Sequence, residues 1–234
     1  MQNHLPPWEK LLKQMLWQQL GDLQGCRILD FGSGTGITAS HYADRNAVLA
    51  IEPSEEAVKD RCREHPYEQL TGSTEQLNRL LDESFDVIFC HNVLEYAEDR
   101  EAIVREFARV LKPGGLLSVV KHNRPGRVMQ MAVLLNDFDK ANALLDGHDG
   151  AASRYGTIRY YEDADVERWS QELQIVETLG MRTFWDLQQN QEIQKDEEWQ
   201  ARMLQLEMRV SNKEEYKAVA FFHHLIIRKK ETRL

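Results

Sequence analysis

Long apolar runs are missing from this chain: no stretch of its 234 residues approaches the roughly 18–20 positions that a membrane-spanning helix needs. The N-terminus lacks the charged-then-apolar pattern of a secretory signal, so a cytoplasmic protein is expected. Cysteine occurs only at Cys26, Cys62 and Cys90, far apart and with no C-x-x-C pair. An odd, scattered set argues against both a disulfide framework and a structural zinc site; Cys26 and Cys90 fall on predicted strands and read as small core residues. Positive charge is short as well, 29 Lys and Arg against 38 Asp and Glu, for a net charge of −9. That disfavours broad, sequence-blind nucleic-acid binding, which needs many cations to displace counterions. Local basic patches remain, at Lys121, His122, Arg124 and Arg127, and at Arg228, Lys229, Lys230 and Arg233, the second reading as a solvated tail. No Asp/His/Asn cluster at ligand spacing follows the predicted fourth strand, so no metal is expected.

What the chain does contain is Ile28-Leu29-Asp30-Phe31-Gly32-Ser33-Gly34-Thr35-Gly36, an apolar strand running into a glycine-rich turn. An amphipathic segment from Ile37 to Ala43 follows at once. Strand, tight turn and helix start are the parts of a nucleotide cradle in an α/β domain. Glycine suits the turn because it accepts unusual dihedrals and lets a ligand approach the backbone. The spacing is Asp-x-Gly-x-Gly-x-Gly and not the dinucleotide fingerprint G-x-G-x-x-G, since position 37 is isoleucine. Asp30 before the glycines would repel a pyrophosphate and suits a ligand with a cationic portion. The next apolar run, Ala47 to Ile51, ends in Glu52-Pro53-Ser54, with Glu52 lying 20 residues after Gly32. An acid at the end of the second strand can accept hydrogen bonds from both ribose hydroxyls of an adenosine, and Ser54 is placed to cap the helix that follows.

Strand and helix go on alternating. A helical stripe over 8–20 carries Leu11, Leu12, Met15, Leu16 and Leu20. A third strand ends near Leu70-Thr71, and a loop through Glu75 leads to a short helix reaching Leu81. Phe85 to Cys90 is a fourth strand, 100–111 an amphipathic helix, Lys112-Pro113-Gly114-Gly115 a turn, and Leu116 to Val120 a fifth strand. The pattern predicts a doubly wound parallel sheet with ligands at the carboxyl ends of its strands, in a single domain spanning 1–234. Two insertions stand out, about 124–163 and 187–210; long connections of this kind act as lids or binding elements, and a substrate lid is expected. The second divides two final strands, Ile175–Phe184 and Ala218–Ile227.

The glycine motif resembles motif I of the class I S-adenosylmethionine-dependent methyltransferases, whose cofactor carries a sulfonium and an ammonium. The Phe-Asp-x-Ile strand at 85–88, Asn92-Val93-Leu94-Glu95 and Leu111-Lys112-Pro113-Gly114-Gly115-Leu116-Leu117 are similar to that superfamily's fourth and fifth strands. The resemblance implies its Rossmann-like fold with a mostly parallel seven-stranded sheet, S-adenosyl-L-methionine as cofactor, and a site made by Asp30, Gly32, Ser33, Gly34, Gly36, Glu52 and Pro53. It further puts Thr74 and Glu75 beside the adenine and His91 against the methionine portion.

A narrower resemblance lies in Leu16-Trp17-Gln18-Gln19-Leu20, His91 to Tyr96, Asn136-Asp137-Phe138-Asp139, Gly180 to Asp186 and Leu206-Glu207-Met208-Arg209. These are similar to the CmoM family, which methylates the carboxylate of 5-carboxymethoxyuridine at the tRNA wobble position. That family has an arginine touching the cofactor carboxylate where this chain offers Lys13. The implied partner is a tRNA anticodon loop. A carboxylate nucleophile is already ionised and needs no general base, so a positioning mechanism without a catalytic acid or base is expected, worth about 7–11 kcal/mol of barrier when reactants are well oriented. Arg209 and Asn123 are the candidates for holding the acceptor, and Tyr96 for stacking on a base. The alternative is a small-molecule metabolite as acceptor; a hydroxyl or amine nucleophile would then want a base, with His91 and His122 the candidates. A non-catalytic cofactor-binding regulator is the third reading.

Overall fold

The computed structural model describes residues 5–152 and 156–231. Its main sheet contains β1 (Arg27–Phe31), β2 (Ala47–Glu52), β3 (Glu68–Thr71), β4 (Phe85–His91), β5 (Leu111–His122), β8 (Leu173–Met181) and β9 (Phe222–Lys229). β6 (Gly150–Ala152) and β7 (Gly156–Ile158) form a separate antiparallel ladder. The seven strands lie in the order β3-β2-β1-β4-β5-β9-β8. β1 pairs in parallel with β2 and β4, β2 with β3, and β4 with β5. The order reverses between β1 and β4, the switch point at which such sheets take their ligands. This is the expected doubly wound, mostly parallel architecture. No helix of the described residues is long and apolar enough to cross a membrane.

Cα packing separates two compact units. The first runs through Asp22–Val120, Tyr161–Glu177 and from Leu225 onward. Its strands are continuous apolar runs because both faces are covered: Ile28, Leu29, Ile51, Ile88 and Phe89 are fully buried. The helices over them are α2 (Ile37–Ala43), α3 (Glu55–Lys59), α4 (Thr74–Leu77), α5 (Arg100–Val110) and α8 (Asp165–Trp169). α5 starts where Asp99 accepts the Ala102 N–H at 3.0 Å, and it drives Ile103, Val104 and Phe107 into the core. Phe31 and Phe107 meet edge to face at 5.3 Å within that core.

The other unit comprises the residues up to Gly21, Lys121–Tyr160 and Thr178–His224. It gathers α1 (Pro7–Leu20), which buries Leu11, Leu12, Met15 and Leu16 as its stripe predicts, and most of both insertions. α6 (Arg124–Met129) continues into one turn of π-helix over Gln130–Leu134. After it come α7 (Phe138–Leu145), α9 (Glu197–Val210) and α10 (Glu214–Lys217).

Three local expectations are corrected. Lys112–Gly115 is the first part of β5 and not a turn; Gly114, at φ +72°, takes up an irregular stretch where the pairing with β4 shifts between Phe85 and Val87. α4 stops at Leu77, short of Leu81. Lys229 is no part of a solvated tail: its side chain is buried, and its ammonium donates to the Leu111 carbonyl at 2.9 Å and approaches Glu83 at 3.5 Å. Arg233 lies outside the described residues.

Candidate functional site

The carboxyl ends of β1, β2 and β4 bring one set of candidates together in the sheet unit. Asp30 is buried near the end of β1, in register with Ala50 on one side and Phe89 on the other. The chain then turns through Gly32, Gly34 and Gly36, all in the left-handed region. Each glycine is there for a different reason. A Cβ on Gly32 would lie 2.3 Å from the Val93 side chain, and one on Gly36 would lie 1.9 Å from the Tyr67 hydroxyl, so these two are glycine for packing. A Cβ on Gly34 would meet nothing within 4 Å. Of the three, Gly34 alone leaves open space, and it is the glycine at which a ligand can come against bare backbone.

Glu52, at the end of β2, ties this loop to the next strand. One carboxylate oxygen accepts the Gly34 N–H at 2.7 Å and the other the Ser54 N–H at 2.9 Å. Each oxygen keeps a lone pair that could serve a ribose hydroxyl. Gly32 and Ser33 donate to the Ile51 carbonyl at 2.8 and 3.2 Å, which fixes the turn against β2. Pro53 follows on the surface, and Ser54 caps α3 as expected, accepting the Ala57 N–H at 3.2 Å. The Ser33 hydroxyl is buried without a hydrogen-bond partner among the described residues, and so is the Asn92 side-chain oxygen just after β4. Buried polar atoms are normally satisfied, so both fit a ligand with hydroxyl and amino groups. The sequence alone did not single out Asn92, at φ +56°; asparagine directly after an apolar strand was the available signal, because it tolerates that conformation.

Three further candidates are placed less simply. Thr74 opens α4, and exposed Glu75 turns back to accept the Ser73 N–H at 2.8 Å, which holds its carboxyl below the usual range. His91 ends β4 with Nε2 2.8 Å from the Ser118 hydroxyl and its ring stacked on Phe89. Tyr96 is half-buried, its N–H bonded to the Val93 carbonyl at 3.0 Å.

In the unit holding the insertions, the two acceptor candidates are placed differently from expectation. Asn123 is buried, and its amide nitrogen donates to the carbonyls of Ala218 at 3.1 Å and Ala220 at 2.8 Å. It is a clamp on the chain leading into β9. Arg209 is exposed in the last turn of α9. The arginine that is buried is Arg182, which the sequence alone did not single out. It sits directly after β8 at φ +60° and forms a two-pronged pair with Asp186, at 2.8 Å from Nε and 2.5 Å from the second nitrogen. Its guanidinium also lies over the rings of Phe221, Phe222 and Trp8 at 5.1, 5.3 and 5.4 Å. Gln130 donates to the same Asp186 at 3.1 Å and accepts from Arg127. Burial pushes the Asp186 carboxyl up, opposed by Arg182 and Arg127. His122 packs its ring on Phe221 and Phe222; burial, with Arg127, Arg182 and Lys121 nearby, pushes its pKa down to about 3. The imidazole is therefore neutral throughout the physiological range.

The motif Gly180–Asp186 and the motif Leu206–Arg209, some twenty residues apart in the chain, are joined by Glu207. Its carboxylate is fully buried and accepts the main-chain N–H groups of Thr183, Phe184 and Trp185 at 2.7, 2.8 and 3.0 Å. Lys13 is half-buried on α1. Among the described residues no group of three or more His, Cys, Asp or Glu could hold a metal ion.

Residues 29–119 match the family model described as a methyltransferase domain. The tRNA 5-carboxymethoxyuridine methyltransferase of Escherichia coli K12 is 27% identical over 241 aligned positions, covering 96% of this chain and 90% of that protein. The ubiquinone biosynthesis O-methyltransferase of Xanthomonas oryzae pv. oryzae is 38% identical over 120 residues, covering 48% of this chain and 50% of that protein. Among solved structures, an S-adenosylmethionine-dependent methyltransferase from Mesorhizobium loti superposes with a TM-score of 0.58 at 16% identity, over 98% of this chain and 100% of that one. At that identity the likeness speaks for the fold. The matched model covers the glycine loop, Glu52 and β4, the part of the chain in which the cofactor candidates converge.

Proposed function

We propose that this S-adenosylmethionine-dependent methyltransferase esterifies a carboxylate carried by a modified wobble uridine in a tRNA anticodon loop, a cytoplasmic substrate. When bound, S-adenosyl-L-methionine supplies an electrophilic methyl group on a sulfonium. The open face of Gly34, the Glu52 carboxylate and the backbone from Gly32 to Gly36 would hold it, with Asp30 facing its cationic part and Ser33 and Asn92 offering unspent polar atoms. In the same reading Pro53, Thr74 and Glu75 flank the adenosine, and His91 faces the methionine portion.

The observation that carries the acceptor reading is His122, a neutral imidazole surrounded by Lys121, Arg127 and Arg182. An imidazole whose conjugate acid has a pKa of about 3 is a poor base for a hydroxyl or amine. His91, the other candidate, has its Nε2 engaged with Ser118. Lys121 and Arg127 beside the Arg182–Asp186 pair suit an anionic acceptor, and a carboxylate needs no deprotonation. What remains for the chain is to orient the acid and strip its water, the contribution of positioning. The similarity to the tRNA methyltransferase runs through both insertions, which fits them as the substrate-binding elements of a single methyltransferase domain. A small hydroxylated metabolite is the competing acceptor, favoured by the ubiquinone-pathway relative, whose similarity spans half of this chain.

Nucleoside mass spectrometry of tRNA from cells with and without the gene separates the two. A methyl ester that disappears from the wobble uridine, with the free acid accumulating in its place, is the predicted outcome. An unchanged nucleoside profile points to the metabolite.

A further inference from the structure

We infer that the Arg127 guanidinium is the receptor for the acceptor's carboxylate, held in place for it by Gln130 and Asp186. This rests on the carboxylate reading above and goes past it by naming the residue and its support.

The four residues form a chain of contacts within one unit. Arg182 is already paired: Nε and one terminal nitrogen both donate to the Asp186 carboxylate, and aromatic rings lie over its guanidinium. It is the anchor, buried and with its charge already met by a carboxylate. Asp186 also accepts from Gln130, whose amide nitrogen donates at 3.1 Å to the oxygen that one Arg182 nitrogen already bonds. That bond fixes which way the Gln130 amide faces, and its oxygen then accepts from Arg127. Arg127 is thereby held by a neutral group, with its guanidinium 5.7 Å from the centre of the Phe221 ring.

Arg127 differs from Arg182 in what surrounds it. It is half-buried, and among the described residues no carboxylate forms an ion pair with it. One guanidinium nitrogen is engaged with Gln130, and the rest of the fork is available for a planar anion. Lys121 adds positive charge to the same surroundings, as does Arg182, whose charge Asp186 offsets. The one carboxylate of this chain of contacts, Asp186, is engaged directly by Arg182 and reaches Arg127 only through Gln130, so a partly desolvated guanidinium there still gains from an anion of its own. A carboxylate taking two parallel N–H bonds would supply that anion, whereas an uncharged hydroxyl would not. Arg209, the residue that the sequence suggests for this task, is exposed and stands outside the chain of contacts.

The test uses the full-length protein and two short anticodon-loop RNAs, one carrying a uridine with a carboxylic acid side arm and the other its methyl ester. The wild type is expected to bind the acid at least tenfold more tightly than the ester. Arg127→Met should erase that preference and raise KM for the acid at least tenfold, with the Kd for S-adenosylmethionine and the Tm close to wild type. Arg127→Lys, which keeps the charge and loses the fork, should fall between the two and serves where the methionine variant does not fold. Gln130→Leu should show a weaker version of the same loss, in KM and not in kcat, since it frees Arg127 without removing it. A wild type that forms the ester while Arg127→Met and Arg127→Lys both keep the acid preference would overturn the assignment and leave the carboxylate reading standing. A wild type with no preference for the acid and no ester formation would overturn both.

Discussion

Gly34→Val should leave the protein folded and abolish its binding of S-adenosylmethionine. The three loop glycines differ in a way that makes this position the informative one. Substitution at Gly32 or Gly36 pushes a Cβ into Val93 or into the Tyr67 hydroxyl, so any loss of binding there would be confounded with damage to the loop. At Gly34 a new Cβ meets nothing within 4 Å and enters the space left open for a ligand. The backbone, at φ +55°, makes a β-branched residue costly there, by about 1–3 kcal/mol. That is a drop of several degrees in Tm at this chain length, roughly 2–4 °C per kcal/mol. The affinity loss should be much larger, on the order of a hundredfold or more, equivalent to about 2.7 kcal/mol. Calorimetric titration alongside a thermal melt reads both quantities. Unchanged affinity in a folded variant would take the glycine loop out of the site.

Glu207→Ala should be the most destabilising single change in the unit that holds the insertions. Its carboxylate is fully buried and accepts three consecutive main-chain N–H groups, from Thr183 to Trp185. Burial pushes this carboxyl up even though those three donors pull it down, a sign of how deeply the group is embedded. Alanine strands three buried donors, each costing about 1–3 kcal/mol if left without an acceptor. With some relaxation the total should be roughly 3–5 kcal/mol, or about 10 °C in Tm. The tethered segment lies between Arg182 and Asp186, so whatever fold survives should also bind its acceptor more weakly. Glu207→Gln keeps one oxygen but brings an NH2 group to face N–H donors, and should be nearly as damaging. A Tm within about 2 °C of wild type for both variants, well inside the shift expected from lost buried hydrogen bonds, would show that the tether is dispensable.

The sheet unit was readable because its signals are local. The strand–glycine–helix passage, the cap at Ser54 and the apolar runs of β1, β2 and β4 each follow from a few adjacent residues, and α2 falls on Ile37–Ala43 as the pattern indicates. Glu52 was placed by its spacing from the glycines, although its bond to Gly34 N–H was not foreseeable. Lys112–Gly115 misled because proline and paired glycines mean a turn locally, while pairing with β4 carries the strand through them with a register shift. In the insertions the decisive contacts are long-range. Asn123 looked free to meet a substrate because the carbonyls that occupy it come from Ala218 and Ala220. Arg209 and Arg182 are the same residue type, and local periodicity does not say which is buried. The usable hint was at Arg182 itself: an arginine with an aspartate four residues on, separated by Thr183-Phe184-Trp185, in a setting too apolar to leave a lone charge.

Carboxylate methylation is best tested by transfer of a methyl label from S-adenosylmethionine to tRNA from cells lacking this gene, by the purified protein. Mild alkali is then applied to the labelled RNA, since a methyl ester saponifies and a methylated base or ribose does not. The expected result is label on the wobble uridine that alkali releases completely as methanol. Label that survives alkali, or that enters only the small-molecule fraction, would contradict esterification of the tRNA.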